Sequence, residues 1–502
     1  MNLTRRDAQR LQAIRQDRLA KLERLRARGI DAYPARAHRT HTTAEALAIL
    51  VSWPGPSAPL GGEPITLCGR IVLLRVMGKV TFAHIDDGKG RLQIFLSAEP
   101  EGLDPQAYQH FKSDVDIGDF IGVEGQLFYT KTGEPTLRVS SWDLLAKSLR
   151  PLPEKWHGLR DVETRYRQRY LDLLANPAAR GVFETRTRLM SAIRRFLDAR
   201  GFLEVETPIL QPLYGGAAAR PFTTHHHVLD QELYLRISDE LYLKRLIIGG
   251  LEKVYEIGKD FRNEGVSSRN NPEFTQIEAY QAYADYRDMM ALVEECFADA
   301  AQEVLNSTTI SYQGNAIDLA PPWQRIPLQR AIRDSIGIDL QAAPDLESLR
   351  REVERGGLEI DIKPNWGRTV EEILKEFVEP RLIQPTFIID YPLEISPLAK
   401  TMREAPQWVE RFEFFIGGLE CGNAFSELND PLEQRRRFEE QSRFRAAGDE
   451  EAHPLDEDYL RALEYGMPPT GGVGWGIDRM AMLFTDQASV REVILFPHLR
   501  TP

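Results

Sequence analysis

The stretch Val254-Tyr255-Glu256-Ile257-Gly258-Lys259-Asp260-Phe261-Arg262-Asn263-Glu264-Gly265 is followed five residues later by Asn271-Pro272-Glu273-Phe274-Thr275-Gln276-Ile277-Glu278-Ala279-Tyr280. It reads as strand, polar loop, strand. Side chains two apart in a strand share a face, so Arg262 falls beside Glu264, and Glu278 beside Tyr280. An arginine, two carboxylates and a phenol then converge on one surface. Any one such ion pair also fits a solvated hairpin with no function.

Further along stands Arg411-Phe412-Glu413-Phe414-Phe415-Ile416-Gly417-Gly418-Leu419-Glu420-Cys421-Gly422-Asn423-Ala424-Phe425-Ser426-Glu427. Gly417-Gly418 suits a two-residue hairpin turn, and that register puts Glu413, Phe415 and Glu420 on one face. Two carboxylates facing one site suit Mg²⁺, which takes few protein ligands and completes its shell with phosphate and water oxygens. Asn423, Phe425 and Glu427 share a face as well, but strict alternation sets it opposite Glu420. For all these groups to line one pocket the strand needs a bulge, and Gly422 is the expected place.

The third stretch, Pro468-Pro469-Thr470-Gly471-Gly472-Val473-Gly474-Trp475-Gly476-Ile477-Asp478-Arg479-Met480, has glycines at alternate positions and then a helical run. Bare alternate positions leave one strand face open to a flat group, with Arg479 reaching over from the helix start. Alone, a Gly-rich turn is usually packing. No GxxxxGK[ST] and no strand-borne GxGxxG occurs, so neither a P-loop nor a Rossmann site is supported.

A chain of 502 residues at 42% hydrophobic can bury two or three cores. Residues 3–30 carry Leu11, Ile14, Leu19, Leu22 and Leu25 at helical spacing, and residues 1–40 hold 11 basic and 4 acidic side chains, so a basic amphipathic helix is expected there. It serves either as a docking helix or to hold RNA phosphates. Trp53 to Pro64 reads as a loop, closing an N-terminal region of residues 1–64. Residues 65–148 show short strands, with turns at Asp86-Asp87-Gly88, Gly90 and Thr132-Gly133-Glu134 and one helix at Pro105 to Phe111, the pattern of a Greek-key barrel of the OB type. A Pro- and Arg-rich linker, 149–179, precedes a larger domain over 180–502. There, long helical patterns (Thr185–Ala199, Tyr286–Leu305) are interleaved with hairpins, which predicts an α+β fold on an antiparallel sheet flanked by helices rather than a doubly wound one.

The formal charge of −12 requires any nucleic acid to be met by a local basic face. Three scattered cysteines, Cys68, Cys296 and Cys421, fit neither a disulfide framework nor a zinc site and point to a reducing compartment. No apolar run approaches a membrane span, and a soluble, cytoplasmic protein is expected. His225-His226-His227 does not read as a metal site, because adjacent imidazoles on a strand point to opposite faces.

Together the three stretches resemble the signature motifs of class II aminoacyl-tRNA synthetases. The Arg262/Glu264 hairpin matches the second motif and the Gly471–Arg479 run the third, while Gly201-Phe202-Leu203-Glu204-Val205-Glu206-Thr207-Pro208 resembles the first, at a dimer interface. The similarity is greatest to the bacterial lysyl type, through Gly215-Gly216-Ala217, Ala219-Arg220-Pro221-Phe222, Tyr242-Leu243-Lys244-Arg245-Leu246 and Phe425-Ser426-Glu427-Leu428-Asn429-Asp430. It spans essentially the whole chain, barrel included. Departures are Leu73 and Leu74 before Arg75, where more basic residues are usual, and Trp475, where a smaller aliphatic is usual.

The resemblance implies a homodimeric lysine–tRNA ligase whose partners are ATP, L-lysine and the tRNA for lysine, with no membrane. Arg262 and Arg479 would be catalytic, Arg262 holding the α-phosphate and the lysine carboxylate together. Phe274 would stack on adenine opposite Arg479, with Glu264 and Asn271 at the base and Arg269 at the outer phosphates. Glu413 and Glu420 would hold Mg²⁺, about two or three ions accompanying ATP. Lysine would be bound by Gly216, Glu240, Glu278, Tyr280, Asn423, Phe425 and Glu427, the last meeting the side-chain ammonium. An aspartate-specific relative would need a cation where Glu427 stands. In the barrel, Phe82, Gln93 and Glu134 would meet the uracil-rich anticodon.

Three rivals are weighed against this. A ligase that modifies elongation factor P lacks the barrel of residues 65–148. A lysyl-lipid synthase carries membrane helices. A catalytically dead RNA-binding relative would be expected to have lost Arg262, Arg479, Glu413 or Glu420, and all four are present.

Overall fold

The computed structural model describes residues 5–52, 63–99, 102–152, 159, 161–446 and 453–500. Most of the loop expected at Trp53 to Pro64 lies outside the described residues. The chain divides into two compact units, Met1–Asp161 and Val162–Pro502.

In the first unit, strands β1 (Ile65–Met77), β2 (Val80–Asp86), β3 (Arg91–Ser97), β4 (Phe120–Tyr129) and β5 (Pro135–Ala146) close a barrel in the order β1-β2-β3-β5-β4. Strict alternation builds it: Thr81, Ala83 and Ile85 are fully buried inside, while Phe82 and His84 face outward, half-buried. Helices α1 (Arg5–Ala27) and α2 (Thr43–Val51) precede the barrel, and α3 (Pro105–Asp114) is inserted between β3 and β4. Thr42 and Glu45 form a capping box on α2, and Asp104 caps α3 with Pro105 in its first turn.

The basic helix α1 is a docking helix. Its Leu22 and Leu25 are buried in the same core as Ile71, Ile85 and Ile94 of the barrel, so residues 1–64 have no separate core. Cations on the helix and just after it hold it there. The buried Arg18 donates to the carbonyls of Ile117, Ser148 and Arg150 at 2.8, 2.9 and 2.9 Å, Lys21 reaches Asp116 at 2.8 Å, and Arg24 and Arg28 both pair with Asp114.

The main sheet of the second unit has eight strands: β6 (Leu203–Glu204), β7 (Lys253–Phe261), β8 (Glu273–Ala282), β9 (Gln324–Pro327), β10 (Thr386–Pro392), β11 (Trp408–Ile416), β12 (Leu419–Ser426) and β13 (Thr470–Gly476). They lie in the order β9-β10-β11-β12-β13-β8-β7-β6. All pairs are antiparallel except the two edge pairs, β6/β7 and β9/β10. The architecture is α+β, as the mixed order of elements predicts.

Helices α4 (Pro177–Asp198), α6 (Tyr286–Leu305) and α7 (Ile477–Phe484) bury Leu189, Phe297 and Met480 against one face of this sheet, α5 (Glu240–Ile248) packing elsewhere. Asp285 and Asp288 form the capping box of α6, which matches its expected limits. A helical segment over residues 328–381 packs a further core around Ile332, Leu349 and Val370. The expected linker needs revision: Val162–Arg167 and Arg169–Ala175 are helical, and the fully buried Arg169 binds the carbonyls of Leu495 and Arg491. Periodicity over six or seven residues is too short to announce such helices, and the apolar ends they dock on are distant in sequence.

Two local features position the site. Gly417 and Gly418, with φ of +63° and +73°, make the two-residue turn between β11 and β12. The pairing then runs Phe415 to Glu420, Phe414 to Gly422 and Glu413 to Asn423, leaving Cys421 unpaired. That is the expected bulge, centred one residue before Gly422, and it turns Glu420 to the side of Asn423, Phe425 and Glu427. A Cβ on Gly422 would stand 2.4 Å from the Gly474 carbonyl, so the close strand approach needs glycine.

Candidate active site

One cavity of about 370 Å³ opens on the sheet between β8, β12 and β13. It is lined by Arg262, Glu264, Arg269, Asn271, Phe274 and Arg479, by Gly216, Glu240, Glu278, Tyr280, Asn423, Phe425 and Glu427, and by Glu413 and Glu420. Every residue expected at the nucleotide, amino-acid and metal sites thus faces one space, and Glu427 and Arg262 lie in the same cavity.

The end of the cavity where the nucleotide residues are expected is built on β7, β8 and β13. Strand β7 ends at Phe261, so Arg262 and Glu264 sit in the loop rather than side by side on a strand, a correction to the sequence reading. The loop is closed instead by the Arg262 N–H donating to the Pro272 carbonyl and the Glu264 N–H to the Arg262 carbonyl, both at 2.9 Å. Arg262 stands 5.1 Å from the Phe274 ring centroid. Arg269 pairs with Glu379 at 3.1 Å, and Asn271 accepts from the His498 N–H at 3.1 Å.

Gly472, Gly474 and Gly476 leave one face of β13 bare, while Val473 and Trp475 point into the core. Trp475, at 1% exposure, packs against Phe297, so its bulk stays out of the nucleotide face. Arg479, from the first turn of α7, reaches the carbonyl of Glu420 and approaches its carboxylate at 3.3 Å.

The other end of the cavity, where the lysine residues are expected, is acidic and buried. Glu278 is buried and accepts from Ser238 at 2.8 Å, Gln276 at 2.6 Å and Tyr280 at 3.0 Å. Glu427 is 1% exposed. Burial pushes the Glu240 carboxyl up to about 7, with the Lys244 ammonium pulling it down and Glu278 pushing it further up. Burial likewise holds Glu427 well above the carboxylate range, against the pull of Lys244. A layer below, the buried Arg236 pairs with Glu256, Asp239 and Asp260 at 2.6, 2.9 and 3.3 Å and anchors the start of α5. Burial first, then the charge of Glu278, raises Asp260 to about 7.

Glu413 accepts from Arg411 at 2.7 Å and from the Tyr391 hydroxyl at 2.9 Å. Burial, reinforced by the charge of Glu420 against Arg411, lifts it to about 8. Among the described residues no group of three or more His, Cys, Asp or Glu is arranged to hold an ion. Two carboxylates flanking an open cavity nonetheless fit Mg²⁺ that arrives with a polyphosphate, since the phosphates supply the remaining oxygens. The three histidines at 225–227 lie exposed on a hairpin away from this cavity.

The sequence reading missed two buried cations. Arg411 joins Asn423 at 2.9 Å to Glu413 and to Ser396 at 2.8 Å. Its signal was legible, an arginine two residues before Glu413 on one strand face. Lys244 contacts both Glu240 and Glu427. Its i, i+4 spacing from Glu240 was visible, but Glu427 lies 183 residues away.

On the barrel of the first unit, Phe82 and Phe95 pair at 5.1 Å between ring centroids, Gln93 donates to the Thr136 hydroxyl at 2.9 Å, and Glu134 stands 3.8 Å from His84. All lie on the barrel's outer surface, so Phe82 is not a core residue.

Residues 161–500 match the family described as class II tRNA synthetases (D, K and N), and residues 65–145 the OB-fold nucleic acid binding domain. The fold is that of a class II aminoacyl-tRNA synthetase, a ligase. Proteins named lysine–tRNA ligase are similar over nearly the whole chain: 56% identity in Roseiflexus sp. (strain RS-1), covering 98% of this chain and 99% of that protein, 55% in Chloroflexus aurantiacus with the same coverage, and 54% in Pelotomaculum thermopropionicum, covering 98% and 96%. The chain belongs to the lysine–tRNA ligase family of that class.

Proposed function

We propose that this cavity activates L-lysine with ATP to lysyl-adenylate and pyrophosphate, and then passes the lysyl group to the terminal ribose of the tRNA for lysine. The observation that carries the substrate is the buried floor of Glu240, Glu278 and Glu427, whose charge suits a ligand with two ammonium groups and repels aspartate. Glu427 takes the side-chain ammonium, with Phe425 and Tyr280 along the methylenes. Glu240 and the backbone at Gly216 take the α-ammonium, and Asn423, held by Arg411, supports the carboxylate.

Arg262 brings the lysine carboxylate and the α-phosphate together and offsets charge building on phosphorus, so attack needs no general base. Phe274 and Arg479 sandwich adenine, Glu264 and Asn271 meet its edge, and Arg269 releases Glu379 to hold the outer phosphates. Glu413 and Glu420 would hold Mg²⁺, which neutralises the triphosphate when bound.

Phe82, Gln93 and Glu134 read the anticodon by stacking and hydrogen bonding. The chain works as a homodimer, consistent with the exposed Leu203, Ile209 and Leu210 in and beside the first motif. No helix among the described residues is long and apolar enough to cross a membrane, and we place the enzyme in the cytoplasm. Lysine-dependent exchange of pyrophosphate into ATP tests the substrate. Exchange driven by aspartate or asparagine, or by no amino acid, overturns it.

A further inference from the structure

Lys244 is a lysine built into a lysine pocket. It lies one turn along α5 from Glu240, is fully buried, and does not line the cavity. Its ammonium touches the carboxylates of both Glu240 and Glu427 and stands 5.3 Å from the centroid of the Phe425 ring. Those two acids come from α5 and from just after β12, and both face the cavity from the other side.

We infer that Lys244 is a positioning residue for amino-acid selection: a fixed counter-ion behind the floor that clamps Glu240 and Glu427 together and sets the floor's charge to that of a ligand with two ammonium groups. This rests on the proposed lysine-activating function and deepens it.

Glu240, Glu278 and Glu427 carry three negative charges when ionised, and Lys244 returns one, leaving two for the α- and side-chain ammonium groups of the ligand. Without Lys244, three buried carboxylates would crowd one site, and at least one would take up a proton, because like charges in low dielectric cannot all ionise. The groups facing the ammonium are Glu240 on its own helix, Glu427 just after β12, Tyr459 on the helix Glu457–Glu464, and His453 just before that helix. Burial by itself would lower Lys244, but the two carboxylates outweigh it and keep the amine charged. Burial, then the charge of Lys244, pushes His453 down to about 4, so it stays neutral and does not compete. The Tyr459 hydroxyl is raised by burial and stays protonated. Lys244 is therefore the cation that offsets these acids from behind, as a supporting group orients the residues that touch a ligand.

The test is Lys244→Met, which keeps the length and removes the charge. Two readouts separate positioning from mere structure. In pyrophosphate exchange, KM for lysine should rise at least about tenfold with KM for ATP within about twofold. In calorimetry at pH 8 in buffers of different ionisation enthalpy, lysine binding should release more protons from the variant than from the parent, by close to one, because the ligand must displace the extra proton the floor has acquired. If the single variant does not fold, Lys244→Met with Glu240→Gln removes one charge of each sign. It should bind lysine weakly and release fewer protons at pH 8 than the single variant. A folded single variant with the parent's lysine KM and proton release overturns the inference, as does a double variant that binds lysine like the parent. A parent that shows no lysine-dependent exchange instead refutes the functional reading beneath it.

Discussion

Gly472→Ala is the smallest change that reaches the proposed amino-acid pocket. A Cβ at this position would stand 2.0 Å from Glu427 Oε1 and 2.4 Å from Tyr280 Cε1. Ordinary contact begins at 3.4 Å, so Glu427 would have to retreat by 3.4 − 2.0 = 1.4 Å. It cannot do so freely, since it is fully buried and bound to Lys244. Overpacking a closed site of this kind costs about 1–3 kcal/mol. At about 1.4 kcal/mol per factor of ten, the expected loss in kcat/KM for lysine is roughly 5- to 150-fold. Pyrophosphate exchange at varied lysine and saturating ATP measures it, with KM for ATP and the thermal unfolding midpoint as controls for a global effect. A lysine KM within twofold of the parent would refute the reasoning, because it would mean that Glu427 does not press on the bare face of β13.

Arg262→Ala should nearly abolish adenylate formation, whereas Phe82→Ala should leave pyrophosphate exchange intact and weaken tRNA charging; equal loss of both steps in the barrel variant would show its assignment to be wrong. Glu413→Gln should raise the Mg²⁺ concentration needed for exchange by roughly tenfold or more, since a carboxylate ligand is lost where few are available, and an unchanged Mg²⁺ dependence would remove Glu413 from the metal site. Lysine binding should weaken as pH falls. Glu240, raised to about 7, is ionised above that pH and neutral below it, so its attraction for an ammonium fades on acidification, and KM for lysine should rise about tenfold from pH 8 to pH 6. A flat lysine KM over that range would contradict the assignment.

Much of this was legible in the sequence because the site is made of strands. A period of two fixes which side chains share a face, and the conflict between Glu420 and Glu427 in that alternation was itself the signal for the bulge found at Cys421. The two-glycine turn and the bare face of β13 followed from the same logic. What stayed hidden depended on distant partners. The use of Arg18, Arg24 and Arg28 in docking α1 requires knowing where Asp114 and Ser148 lie, and the pairing of Lys244 with Glu427 spans most of the catalytic unit. Trp475 stands where a smaller aliphatic is usual, and its neighbours in sequence are the glycines of the open face. Its own side chain points the other way, into the core beside Phe297.

A crystal structure of the enzyme with lysine and a non-hydrolysable ATP analogue tests the charge-matched floor most directly. The account predicts the side-chain ammonium within hydrogen-bonding distance of Glu427, the α-ammonium at Glu240, and the carboxylate beside Arg262 and the α-phosphate. A lysine whose side chain points away from Glu427, or one bound outside this cavity, would contradict it.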